Sequence, residues 1–210
     1  TTCLLSLCIA ASGLLKAEND KPFVIPELRY WQGGEGVVNI SAATKVIYTN
    51  AELASVAEAM AEDYGLLFDK EMKAKSASKG ATGAIVISLV SDKELGDEGY
   101  SIEIDDYVAI KANTATGAYW ATRTLLQILE QNEGTNLPKG SVRDWPDFGV
   151  RGFMIDCGRK YIPLDYLKQY SKIMAYYKMN TLQVHLNDNG FKQYFGNDWN
   201  ETYAAFRLES

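Results

Sequence analysis

Histidine is almost missing from this sequence, with one residue in 210. A centre built from several imidazoles is therefore impossible, and no paired C-x-x-C stands in for it. No metal and no cofactor are expected. Cysteine is scarce as well: three residues, of which Cys3 and Cys8 fall in the first ten positions. No stretch reaches the roughly 18 apolar residues that a membrane span needs. Basic residues are outnumbered, 21 Lys and Arg against 27 Asp and Glu, and the net charge is −6. That balance lacks the basic footprint of a nucleic-acid binder. No G-x-S-x-G is present, so the nucleophile elbow of a serine hydrolase is missing. Apolar residues are not in short supply. At 47% hydrophobic, the chain has material for a core, and whole-chain disorder is excluded. Its length suits one or two domains.

Residues 3–15 read CLLSLCIAASGLL, followed by a polar switch from Lys16 to Lys21. The size of the apolar run predicts a secretory signal peptide over residues 1–17, seen in part, since an initiating Met and a basic n-region are not there. The competing reading is a short buried helix. Removing the leader would leave Cys157 alone and no internal disulfide. Export without disulfides suits a secreted or periplasmic, cell-envelope enzyme.

Residues 23–147 read as one α+β domain. WQGGEGVVNIS and TKVIYTN look like strands, with Gly33, Gly34 and Gly36 forming a tight turn rather than a phosphate loop, because no G-K-[ST] follows. Leu53, Val56, Met60 and Tyr64 recur at helical spacing after Asn50, a candidate N-cap. Lys70 to Thr82 reads as a solvated loop, with a basic partner site as the sharper alternative. AIVISLV is apolar enough for a buried strand. YSIEID and YVAIKA form a hairpin around Asp105 and Asp106. A second helix runs from Ala115 to Gln131 and stops at Gly134. The order predicts a sheet with its helices on one face.

Residues 148–210 open with VRGFMID, a strand apolar enough to be covered on both faces. Pro163 and Asp165 mark a helix start, and Leu167, Tyr170, Met174 and Tyr177 give its apolar stripe. Thr181 to Leu186 alternates as a strand. A β-α-β unit requires parallel strands, and function then collects at their C-terminal ends. Arg159 follows the first strand, His185 ends the second, and Asp188 follows it. Each has a plainer reading alone: a surface charge on a buried stem, a hydrogen-bonded interior imidazole, and a turn residue in the Asn187–Gly190 cluster.

Taken together these residues resemble glycoside hydrolase family 20, the β-N-acetylhexosaminidases. The motif R-G-x-x-x-D-x-x-R is met by Arg151, Gly152, Asp156 and Arg159. Y-K-x-N is met by Tyr177, Lys178 and Asn180, and H-L-x-D by His185, Leu186 and Asp188. The helix Gly117–Gln127 and the D-W-P-D-F run from Asp144 to Phe148 resemble the family's entry into its barrel. Asn189 departs from the pattern, standing where many members have a second Asp.

The resemblance, over about residues 23–195, implies a (β/α)₈ barrel preceded by the small α+β domain. It implies glycan partners carrying terminal β-linked N-acetylglucosamine or N-acetylgalactosamine. It also implies substrate-assisted catalysis, in which the 2-acetamido oxygen attacks the anomeric carbon. Arg159 would hold the 3- and 4-hydroxyls, Asp188 would support the general acid, and His185 would line the barrel mouth. The family's Asp-Glu catalytic pair has no counterpart up to Ser210. Asp97-Glu98 belongs to a turn of the first domain. A barrel takes about 250 residues, so the chain is expected to be an N-terminal fragment, inactive alone. The alternative is a secreted, non-catalytic carbohydrate-binding or interaction module that stacks sugars on Trp31, Trp120, Trp145 and Trp199. The plainer role for those indoles is core packing.

Overall fold

A computed structural model of the chain describes residues 18–41, 44–77, 82–158 and 161–186. Three strands begin it: β1 (Tyr30–Asn39), β2 (Lys45–Tyr48) and, after helix α1 (Ala54–Phe68), β3 (Lys73–Ser76). Then come β4 (Ile85–Leu89), the hairpin β5 (Tyr100–Ile104) and β6 (Val108–Ala112), helix α2 (Ala115–Glu130) and β7 (Asn136–Asp144). These seven strands form one mixed sheet in the order β1-β7-β5-β6-β4-β2-β3. Its β1, β7, β5 and β6 neighbours run antiparallel, and β6, β4, β2 and β3 run parallel.

Both long helices bury their apolar stripes on one face of this sheet. Val56, Ala57, Met60 and Tyr64 of α1 meet Leu125, Leu126, Ile128 and Leu129 of α2 over Ile85, Ile87, Ile102 and Ile110. Burial of this kind contributes about 25 cal/mol per Å² of apolar surface and is the main stabilising force of the domain. The Thr114 hydroxyl accepts from the Gly117 amide at 3.1 Å and caps α2.

Gly117 also lets the helix start press on the preceding turn: a Cβ there would lie 2.5 Å from the Gly99 carbonyl oxygen. Alanine normally strengthens a helix interior by up to about 1 kcal/mol. Here the sign reverses. Gly117→Ala is expected to destabilise by about 1–3 kcal/mol, the range for overpacking, read as a fall in urea midpoint at unchanged m-value.

Two expectations for this domain change, and one strand is added. Gly33 to Gly36 make no turn between strands. They lie inside the single strand β1, where the pairing with β7 shifts between Gly33 and Val37. A Cβ on Gly33 would fall 2.2 Å from the Asn19 carbonyl oxygen, so the arm passing over this strand requires glycine. The lysine-rich stretch after Lys70 is not all loop, because β3 pairs with β2 as an edge strand, its Lys73 and Lys75 exposed. Finally, residues 136–144, which carry no strand signal because of Pro138 and Gly140, form the strand that joins β1 to the hairpin.

The second sheet holds β8 (Gly152–Asp156) and β9 (Thr181–His185), parallel and joined by helix α3 (Leu164–Tyr176). VRGFMID at 150–156 reads as a strand covered on both faces; the strand begins at Gly152, and Phe153 and Met154 are exposed, because one helix and one partner strand cover only part of it among the described residues. Helix α3 docks on α1 and α2. The Gln127 amide donates to the Tyr176 carbonyl at 2.9 Å, Lys172 pairs with Glu62 at 2.9 Å, and the Tyr176 hydroxyl donates to Glu130. Among the described residues no helix is long and apolar enough to cross a membrane. The leader expected over residues 1–17 lies outside the described residues.

Candidate functional site

Parallel pairing sets Asp156 opposite His185 at the C-terminal ends of β8 and β9. The His185 Nδ1 lies 3.3 Å from Asp156 Oδ1, and the Cys157 amide donates to the His185 carbonyl at 2.9 Å. A carboxylate and an imidazole thus share one rim, with the ring half-exposed. Cys157 is buried and free, and offers no accessible nucleophile. The other two expected site residues, Arg159 and Asp188, lie outside the described residues. Among the described residues no group of three or more His, Cys, Asp or Glu side chains could hold a metal.

At the opposite ends of the same strands stands a second polar constellation. Arg151, just before β8, donates from Nε to the Lys178 carbonyl and from Nη1 to the Phe148 carbonyl, both at 2.7 Å, and pairs with Glu98. Glu98 also accepts from the Trp120 indole at 2.8 Å, and the guanidinium lies 5.5 Å from that ring's centroid. The Arg151 hydrogen bond, and then the Trp120 one, hold the Glu98 carboxyl below its ordinary range against its partial burial. Asn180, just before β9, accepts from the Arg151 amide at 2.9 Å and donates to the Gly149 carbonyl at 2.8 Å. The start of β8 and the start of β9 are therefore locked to each other and to the α+β domain.

Lys178 is the deepest member. Helix α3 closes with the Met179 amide donating to Met174 and the Lys178 amide to Ala175, a Schellman arrangement. Its left-handed position normally goes to glycine, but here Lys178 takes it at φ +58°. A side chain in that conformation costs about 1–2 kcal/mol. The ammonium reaches the Tyr100 hydroxyl at 2.7 Å and Asp144 Oδ2 at 3.2 Å. The Tyr100 hydroxyl in turn donates to Asp144 at 2.6 Å, beside Thr124. Burial pushes the Lys178 ammonium below its ordinary value, with Asp144 pulling it back up. Burial first, and the charge of Asp144 second, raise the Tyr100 phenol well above its own.

A cavity of about 380 Å³ opens over this constellation, lined by Trp145, Phe148 and Tyr177 among others. In the sequence, Arg151, Lys178 and Asn180 stand only as motif letters. The available signal was a lysine standing where a helix end prefers glycine.

Three of the four indoles are engaged within the fold. Trp120 is 7% exposed. The Trp31 indole donates to the Asn19 carbonyl at 3.1 Å and packs on the core. Trp145 carries the Arg29 guanidinium 4.8 Å from its centroid. Trp199 lies outside the described residues.

A helix-backed mixed sheet thus clamps the start of a parallel strand–helix–strand unit, with a polar rim at the far strand ends. The comparisons with known proteins assign the family. The model for glycosyl hydrolase family 20, domain 2, matches residues 21–145, and that for the glycosyl hydrolase family 20 catalytic domain matches residues 148–195. The chain belongs to glycosyl hydrolase family 20.

Among its relatives, a beta-N-acetylhexosaminidase of Cellulomonas fimi is 32% identical over 154 residues, covering 71% of this chain and 31% of that protein. A beta-hexosaminidase of Porphyromonas gingivalis is 28% identical over 200 residues, covering 89% and 26%. The chain thus spans less than a third of the length of these curated relatives. The solved beta-N-acetylhexosaminidase of Streptomyces coelicolor shares the fold, with a TM-score of 0.66 at 23% identity over 81% of this chain and 36% of that one. The exo beta-N-acetylglucosaminidase of Vibrio harveyi, solved with N-acetylglucosamine, gives 0.67 at 23% identity over 81% and 27%.

Proposed function

We propose that the chain is the N-terminal part of a secreted or periplasmic exo-β-N-acetylhexosaminidase that removes terminal β-linked N-acetylglucosamine or N-acetylgalactosamine from glycans. The observation that carries this is the pair of family matches, in order and covering residues 21–145 and 148–195, among relatives named hexosaminidases. In this reading residues 1–17 are a leader, 23–147 the α+β domain and 148–210 the first part of a (β/α)₈ barrel.

Catalysis is substrate-assisted and retaining. The substrate's 2-acetamido oxygen forms a bond to the anomeric carbon as the glycosidic bond breaks. A carboxylic acid gives its proton to the leaving oxygen, and water then opens the oxazolinium ring. Arg159 presents two directed donors to the 3- and 4-hydroxyls, as a guanidinium fork does well. Asp188 orients and tunes the proton donor, and His185 lines the mouth beside Asp156. This reading assigns the proton donor to no residue of the chain, so the 210 residues alone are expected to be inactive.

The test uses the full-length protein and a chromogenic N-acetylglucosaminide. Wild type turns over, and Arg159→Ala lowers kcat/KM about 10- to 100-fold, mostly through KM, because charged hydrogen bonds contribute about 1.5–3 kcal/mol. Glycan binding without any turnover by wild type would replace the enzyme with a binding module.

A further inference from the structure

We propose that Lys178 is a positioning residue, which sets how the β8–β9 pair sits on the α+β domain and thereby where the Asp156–His185 pair stands at the active rim. The proposal rests on the hexosaminidase reading. Three observations carry it. Lys178 holds a left-handed backbone position that glycine would fill without strain, so its side chain is what the position retains. That side chain is 8% exposed, and it crosses from the end of α3 to Tyr100 on β5 and Asp144 on β7. Its carbonyl accepts from Arg151, whose amide is held by Asn180, so one residue fixes the starts of both strands.

The strands are then rigid rods. Five residues at about 3.3 Å each separate this anchor from the rim, and the Gly152–Asp156 ladder pairs residue for residue with Thr181–His185. A tilt at the anchor becomes a displacement of Asp156 and His185. The charged groups around the ammonium are Asp144, with Tyr100 beside it, and Arg151, which opposes it. A well-packed apolar residue could match the stability of such a buried pair. What it could not supply is directed donors that fix orientation.

In the full-length protein, Lys178→Gly suits the backbone and removes only the side chain. It is expected to lower kcat/KM for the chromogenic N-acetylglucosaminide about 10-fold, since small misplacements are costly in catalysis. Circular dichroism should be unchanged, and Lys178→Arg should recover most of the loss. Combined with His185→Gln, the losses should not multiply: the double variant should lie within about 2-fold of the weaker single one. Multiplicative losses, or an unchanged kcat/KM in a folded Lys178→Gly, would overturn the proposal. Should Lys178→Gly fail to fold, Tyr100→Phe, which deletes one acceptor of the ammonium, goes through the same cycle. If wild type does not turn over the substrate, the hexosaminidase reading fails by itself. The positioning claim is then read from the His185 imidazole resonance, assigned by its loss in His185→Gln. That resonance should move in Lys178→Gly, and its staying in place would refute the claim.

Discussion

Replacing Asp144 with alanine should cost about 3–5 kcal/mol. Asp144 and Lys178 are the two buried charges of the junction, their side chains 9% and 8% exposed. The carboxylate accepts from Tyr100, from Lys178 and, at 3.3 Å, from the Arg29 amide. Deleting it leaves a largely buried ammonium with the Tyr100 hydroxyl as its remaining acceptor, and removing one partner of a buried pair carries a penalty of that size.

The pH dependence identifies the cause. Burial already lowers Lys178 below the ordinary lysine value of 10.5, and losing Asp144 lowers it further. Between the folded and unfolded values the unfolded chain holds the extra proton, so stability rises with pH across that window. Urea unfolding near neutral pH and again near pH 10 should show the deficit of Asp144→Ala shrinking at the higher pH. Tyr100 stays protonated throughout, since its phenol is raised well above its ordinary range. A paired change, Asp144→Leu with Lys178→Met, should recover much of the loss.

Arg151→Ala should cost about 3 kcal/mol, the lower end for a broken buried pair because Glu98 keeps 23% of its side chain in water. Two backbone carbonyls, Phe148 and Lys178, lose their donors at the same time. The loss should also be local. In hydrogen exchange, β8, α3 and β9 should lose protection while the buried strands β4, β5 and β6 keep theirs.

Glu98 gives the acid-side signature. Its folded value is depressed, chiefly by Arg151, so its contribution is present above the unfolded value of about 4.5 and lost as pH falls through the folded one. The variant should therefore show a flatter acid limb in its urea midpoint than wild type does.

The helices of the α+β domain could be read from the sequence because their apolar spacing is strong: Val56, Met60 and Tyr64, then Leu125, Leu126 and Leu129, all lie in the core. The hairpin around Asp105 and Asp106 was equally plain, since turn residues separate two β-branched runs. Strand β7 stayed hidden because Pro138 and Gly140 argue against a strand locally, and only pairing with β1 and β5 overrides them. The glycines at 33–36 look like a turn because the arm that needs them is distant in sequence. At the rim, the β-α-β pattern predicted that the ends of the two strands meet, and Asp156 and His185 do. The anchor beneath them was visible only as letters. Tyr100, Asp144 and Lys178 are far apart along the chain, and no periodicity connects them.

Among the described residues the sheet ends at β3, whose outer margin pairs with no further strand. Lys73 and Lys75 project from that margin into water. Two copies approaching side by side would bring the two Lys75 ammonium groups together, flanked by the Lys73–Glu71 pairs, before a single ladder bond could form. That repulsion guards an open margin against growth into fibrils.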